Sequence, residues 1–150
     1  MHKDDTPPGD DDTCATDIGL THLAIPVADI EISAAFYARY ASLRVVHQRT
    51  DGGTRVCWLA DVVRPFVIVC LEVPESIGTP PDDNTHIGFG CRDRAEVDGI
   101  AERARAEGRS VDGPHDSGPP VGYWLMLRDP DGHAVEFSVG QAISDAVDGS

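Results

Sequence analysis

Apolar positions along this chain alternate between a strand period and a helix period, and the whole alternation occurs twice. Leu20 to Val27 is a short apolar run ended by Pro26 and Asp29. Its period of two places His22, Ala24 and Pro26 on one face and Thr21, Leu23 and Ile25 on the other. Asp29 is an N-cap residue, and Ile30, Ala34, Tyr37 and Ala41 recur at helical spacing, which predicts a helix over 30–40. Leu43 to Gln48, Arg55 to Ala60 and Phe66 to Val73 read as three strands, the first two joined by a turn at Asp51-Gly52-Gly53. The order then repeats. Thr85 to Cys91 is a strand. Asp93 caps a helix whose stripe is Val97, Ile100, Ala101 and Ala104, and Gly108 stops it. Ser110 to Val111, Gly122 to Leu127 and His133 to Val139 follow as strands. Asp129-Pro130-Asp131-Gly132 turns between the last two, with Asp129 and Asp131 as turn formers. Asp112 to Pro120, rich in Pro and Gly, reads as a loop long enough to cover a site.

Each half is therefore strand, helix, strand, strand, strand, spanning 18–73 and 84–139 with a Pro-rich linker between. Neither half has the area to bury its sheet alone. The expected class is α+β: two βαβββ modules forming an open, barrel-like mixed sheet with helices outside. Residues 1–17 carry Asp4, Asp5, Asp10, Asp11, Asp12 and Asp17 against Lys3 and are expected to be disordered. The tail from 141 to 150 has no clear partner and is expected to fray.

The halves also share chemistry. Thr21-His22-Leu23-Ala24-Ile25 returns as Thr85-His86-Ile87-Gly88-Phe89, 64 residues later, and the same shift carries Glu72 onto Glu136. Two imidazoles and two carboxylates form a mixed N/O set suited to a divalent first-row metal. Glu136 lies within an apolar strand, where an unpaired carboxylate is costly. Glu72, just before Val73-Pro74, also fits an exposed strand end. His133 reads as a solvated turn residue, His47 and His115 as exposed or structural, and Trp58 and Trp124 as core.

Charge and cysteines narrow the classes. A formal charge of -14 in 150 residues argues against a nucleic-acid or anionic-membrane partner. The four cysteines form no Cys-x-x-Cys pair, and three lie in apolar runs, which fits free thiols in a reducing cytoplasm. There is no signal-peptide pattern and no 18-residue apolar run.

These motifs resemble the vicinal oxygen chelate superfamily, which groups glyoxalase I, bleomycin-resistance proteins, methylmalonyl-CoA epimerase and extradiol dioxygenases. The likeness covers 18–140. It rests on the two Thr-His strands, on the Asp-capped helix with Phe36-Tyr37, and on Asp129-Pro130-Asp131-Gly132 followed by Glu136. It implies metal ligands at His22, Glu72, His86 and Glu136, the metal being Ni, Zn, Co, Mn or Fe. A lyase or isomerase of glyoxalase or epimerase type would stabilise an enediolate of a small substrate with vicinal oxygens, with Glu136 or Glu72 moving the proton. An Fe(II) dioxygenase would use His22, His86 and Glu136 alone. A drug-sequestering protein would use no metal. The sequence departs from glyoxalase I at Pro26, near a position where those enzymes carry an Arg. It departs from the dioxygenases at Met126, where they tend to carry a Tyr. The resemblance allows a hollow built within one chain or across a homodimer.

Overall fold

The computed structural model describes residues 19–76, 78 and 84–149. The acidic segment 1–17, Cys14 and part of the linker lie outside the described residues. The first module is β1 (His22–Val27), α1 (Ile30–Ala41), β2 (Arg44–Asp51), β3 (Thr54–Ala60) and β4 (Val67–Glu72). A short 3-10 turn, Pro74–Ser76, follows. The second module is β5 (His86–Gly90), α2 (Arg94–Ala106), β6 (Asp112–Asp116), β7 (Tyr123–Arg128) and β8 (Ala134–Val139), with a last helix α3 (Ile143–Asp148). The class is α+β, as expected. The strands form two four-stranded sheets, ordered β1-β4-β3-β2 and β5-β8-β7-β6, and not one continuous barrel. In each, the first and last strands run parallel and the remaining neighbours antiparallel. No described helix is long and apolar enough to cross a membrane.

Local chemistry explains the element ends. Asp29 is extended, and its carboxylate accepts from Ile32 N at 3.0 Å, capping α1. Asp93 accepts from Glu96 N at 2.8 Å, and the Glu96 carboxylate reaches back to Arg92 N at 2.7 Å. This reciprocal pair is a capping box displaced by one residue. Gly52 and Gly53 both take positive φ, which the two-residue hairpin between β2 and β3 requires.

Three expectations need correction. The strand expected at Ser110–Val111 lies instead at Asp112–Asp116, so the 112–120 stretch is not all loop; this segment pairs with β7 as an edge strand. Gly and Pro masked it. A register shift lies between Asp112 and His115, and an outer strand tolerates Pro114 where an inner one would not. The tail carries α3, although none of its residues is buried. The buried face of α1 is wider than its predicted stripe, comprising Ile30, Ser33, Phe36, Tyr37 and Tyr40. A second surface explains the excess: the Arg109 guanidinium lies 4.9 Å over Phe36, and Phe89 of β5 lies 6.3 Å from Tyr37.

Helix α1 is thus the joint between modules, and the β7–β8 turn is its socket. Tyr37 Oη donates to Asp129 Oδ2 at 2.8 Å, and both residues are buried. Asp131 accepts from Ala28 N at 3.0 Å and from Ser33 Oγ at 3.3 Å. His133, read as a solvated turn residue, bonds through Nε2 to the Pro26 carbonyl at 2.9 Å. Burial, and next the Asp129 charge, hold the Tyr37 phenol above its usual range, so it remains a donor. Tyr37→Phe removes the donor and leaves a buried carboxylate one partner short. The expected loss is about 1.5–3 kcal/mol in a denaturant midpoint measurement. An unchanged midpoint would show that this bond does not fasten the modules.

Candidate metal centre

Register decides which side chains share a face. In the second module His86 pairs with Ala134, and Gly88 with Glu136. Alternate residues of a strand share a face, so His86 and Glu136 project from the same side as diagonal neighbours. Their Nε2 and Oε2 atoms lie 3.7 Å apart. That side is opposite the one carrying Phe89, Val135 and Phe137 into the core. Glu136 is nonetheless only 8% exposed, and Gln141 Nε2 donates to its Oε1 at 2.9 Å.

The first module is built differently. Ala24 pairs with Val69, and Val27 with Glu72. The residue of β4 that stands where Glu136 stands in β8 is therefore Val69, and Glu72 lies three residues beyond it. An odd displacement reverses the face. Glu72 shares the side of buried Val27, whereas His22 is on the exposed side with Ala24 and Pro26. Glu72 is also five residues along the ladder from His22, roughly 16 Å at the usual rise per residue. The structure brings together His86 and Glu136 but does not bring Glu72 to His22.

Glu72 is occupied elsewhere. It accepts from Ile30 N at 3.0 Å, at the start of α1, and pairs with Arg55 at 3.1 Å. Arg55 also binds Glu31 and holds that exposed carboxyl down to about 2. Asp29, Glu31 and Glu72 approach closely enough to surround a cation. The Arg55 guanidinium supplies positive charge there, and Asp29 is the helix cap, so the cluster serves the α1 N-terminus.

His22 contacts the neighbouring Thr21 hydroxyl through Nδ1 at 2.9 Å and is exposed. His47 and His115 lie 4.7 and 4.8 Å from the half-buried rings of Trp58 and Trp124, their cross-strand partners. Asp112 holds His115 at 2.7 Å. A cavity of about 850 Å³ runs between the modules and is lined by Leu59, Ile68, Phe89, Phe137, Gly88 and Gln141. Gln141, one of its lining residues, is also the hydrogen-bond partner of Glu136. Sequence reasoning missed Gln141, because nothing in the periodicity shows that the chain doubles back after β8. The turn at Gly140, with φ of 83°, is the one signal available.

Comparison with known proteins agrees with this architecture. The Glyoxalase/Bleomycin resistance protein/Dioxygenase superfamily matches residues 19–137. A Pseudomonas aeruginosa protein, uncharacterized protein PA2024, is 40% identical over 126 residues, covering 83% of this chain and 90% of its own. The trypanothione-dependent glyoxalase I of Leishmania major superposes with a TM-score of 0.68 at 18% identity, over 87% of this chain and 93% of its own. A fosfomycin resistance protein of Listeria monocytogenes, complexed with Mn(II) and 1S,2S-dihydroxypropylphosphonic acid, gives 0.67 at 21%, over 87% and 98%. The chain belongs to the Glyoxalase/Bleomycin resistance protein/Dioxygenase superfamily.

Replacing Glu72 tests the part of the site that differs between the modules. Glu72→Gln keeps the size and removes the anion from the α1 N-terminus. It should lower stability by about 0.5–2 kcal/mol in chemical denaturation. Bound metal per chain should stay at the wild-type value. Loss of metal with stability intact would return Glu72 to the ligand set.

Proposed function

We propose that this chain is a divalent-metal enzyme whose ligands are His22, His86 and Glu136, acting on a small substrate with vicinal oxygens. The observation that carries this reading is the His86–Glu136 pair, two metal-binding side chains 3.7 Å apart with the carboxylate almost wholly buried. Removing a carboxylate from water costs several kcal/mol. A hydrogen bond to a charged group returns about 1.5–3 kcal/mol. Among the described residues Glu136 receives one hydrogen bond, from the neutral Gln141 amide, and has the His86 imidazole 3.7 Å from Oε2; a cation between His86 and Oε2 would supply the opposite charge. An imidazole and carboxylate set suits Mn, Fe, Co, Ni or Zn.

The metal would act as a Lewis acid toward a substrate oxygen. Glu136 is the proton carrier in this reading: its carboxylate takes a proton from the carbon beside that oxygen and returns it to the neighbouring carbon. His86 and His22 hold and orient. This places the reaction with lyases and isomerases of glyoxalase or epimerase type. The withdrawal of Glu72 favours one second reading, an Fe(II) dioxygenase, because three protein ligands leave positions for both substrate and oxygen.

His22 and His86 lie on β1 and β5, each hydrogen-bonded on one side only in its sheet among the described residues. Leu20 and Leu23 are exposed beside His22. An open edge with apolar side chains is a pairing surface. Two copies exchanging β1 and β5 edges would bring His22 of one to His86 and Glu136 of the other, and we take the homodimer as the working form.

Metal analysis of purified protein separates the readings. Nickel, zinc, cobalt or manganese supports the lyase or isomerase, iron supports the dioxygenase, and none leaves a sequestering protein. His22→Ala and Glu136→Ala should each lose metal. Unfolded together and refolded, they should recover about a quarter of wild-type metal, since statistical pairing leaves one intact site in each mixed dimer. No recovery would place the whole site within one chain.

A further inference from the structure

The two oxygens of Glu136 have different partners. Oε1 accepts from Gln141 Nε2 at 2.9 Å, while Oε2 lies 3.7 Å from His86 Nε2. We propose that Gln141 is a positioning residue that holds Oε1, so that Glu136 offers a divalent cation Oε2 alone. The inference rests on the metal reading above and concerns how many coordination positions the protein leaves open.

A carboxylate with both oxygens free can bind a cation through one or both. A hydrogen bond along one oxygen favours the single-oxygen mode. With three ligands giving one atom each, an ion of six positions keeps three, enough for two vicinal oxygens and one more group. A two-oxygen Glu136 would remove one of them.

The choice of an amide matters as much as its place. Glu72 is paired with a guanidinium, which matches its charge. Glu136 receives a neutral donor, which fixes its geometry and leaves the negative charge for a cation. Gln141 is itself well anchored. Gly140 before it takes φ of 83°, and Ala142 N after it donates to the Pro120 carbonyl at 3.3 Å. The side chain therefore meets Glu136 from a defined turn and does not depend on α3, whose residues are all exposed.

The test is Mn(II) titration at one fixed pH, followed by isothermal calorimetry and by water-proton relaxation, on the full chain. Gln141→Leu removes the donor at similar volume. Gln141→Asn keeps an amide but draws it back by one methylene, and serves if the leucine variant fails to fold. Either should bind Mn(II) about 10- to 100-fold more weakly, the usual cost of losing a partner behind a metal ligand. The relaxation enhancement per bound Mn(II) should fall by the share of one water, as the freed Oε1 takes a coordination position. The metal-free melting temperature should fall by a few degrees, because the buried Glu136 carboxylate loses its donor. A folded variant matching wild type within about twofold in affinity, with the same relaxation, would overturn the role of Gln141 and leave the metal reading standing. Wild-type protein that binds no Mn(II) would overturn both.

Discussion

A carboxylate buried on the side of a sheet opposite its core-packed face is the constraint around which the second module is arranged. Glu136 sits in β8 between Val135 and Phe137, which fill the core, and its own neighbours on the other side leave it almost no water. Its charge must be met by the protein or by a bound cation. The parallel register with β5 sets His86 diagonally beside it, and the turn at Gly140 brings Gln141 against its other oxygen. Among the described residues its one hydrogen-bond donor is the neutral Gln141 amide, and the imidazole stands 3.7 Å away. This distinguishes Glu136 from Asp129, which is as buried but receives Tyr37 Oη and the backbone N–H groups of Asp131 and His133. Asp129 is structurally satisfied, and Glu136 is left able to take a ligand.

The same comparison explains how the modules are held. Asp129 and Asp131 belong to a turn of the second module, yet their partners include Tyr37, Ala28 and Ser33 of the first. At the far end of α1, Arg39 binds Glu107 at 2.9 Å and Arg103 reaches the Arg39 carbonyl at 3.0 Å. The exposed Arg39–Glu107 pair contributes little by itself. The buried Tyr37–Asp129 bond and the aromatic contacts around Phe36, Tyr40 and Phe89 carry more. Helix α1 is therefore fixed along its length, which positions the β7–β8 turn and hence the start of β8.

Much of this was legible in the sequence. Helix and strand periods gave the two modules, and the shared Asp caps at 29 and 93 follow the same 64-residue shift as His22 and His86. The shift fails beyond the helices. The β5–β8 register differs from the β1–β4 register by three residues, so the equal spacing of Glu72 and Glu136 is a coincidence of loop length. A linear repeat carries no information about which residues of two strands lie opposite, and a shift of three reverses the face. Asp129, Asp131 and His133 read as turn residues because their partners lie about 100 positions away. Gln141 was hidden for another reason: its partner Glu136 lies five positions back, and nothing in the periodicity shows that the chain turns there.

Two clusters of ligand-type side chains compete for a cation, and where it binds decides between them. Crystals grown with Mn(II) and measured for anomalous scattering answer this without a substrate. The expected result is a single strong peak bonded to His86 Nε2 and Glu136 Oε2, with His22 as the third protein ligand. A peak among Asp29, Glu31 and Glu72 in place of Arg55, with none at His86, would contradict it.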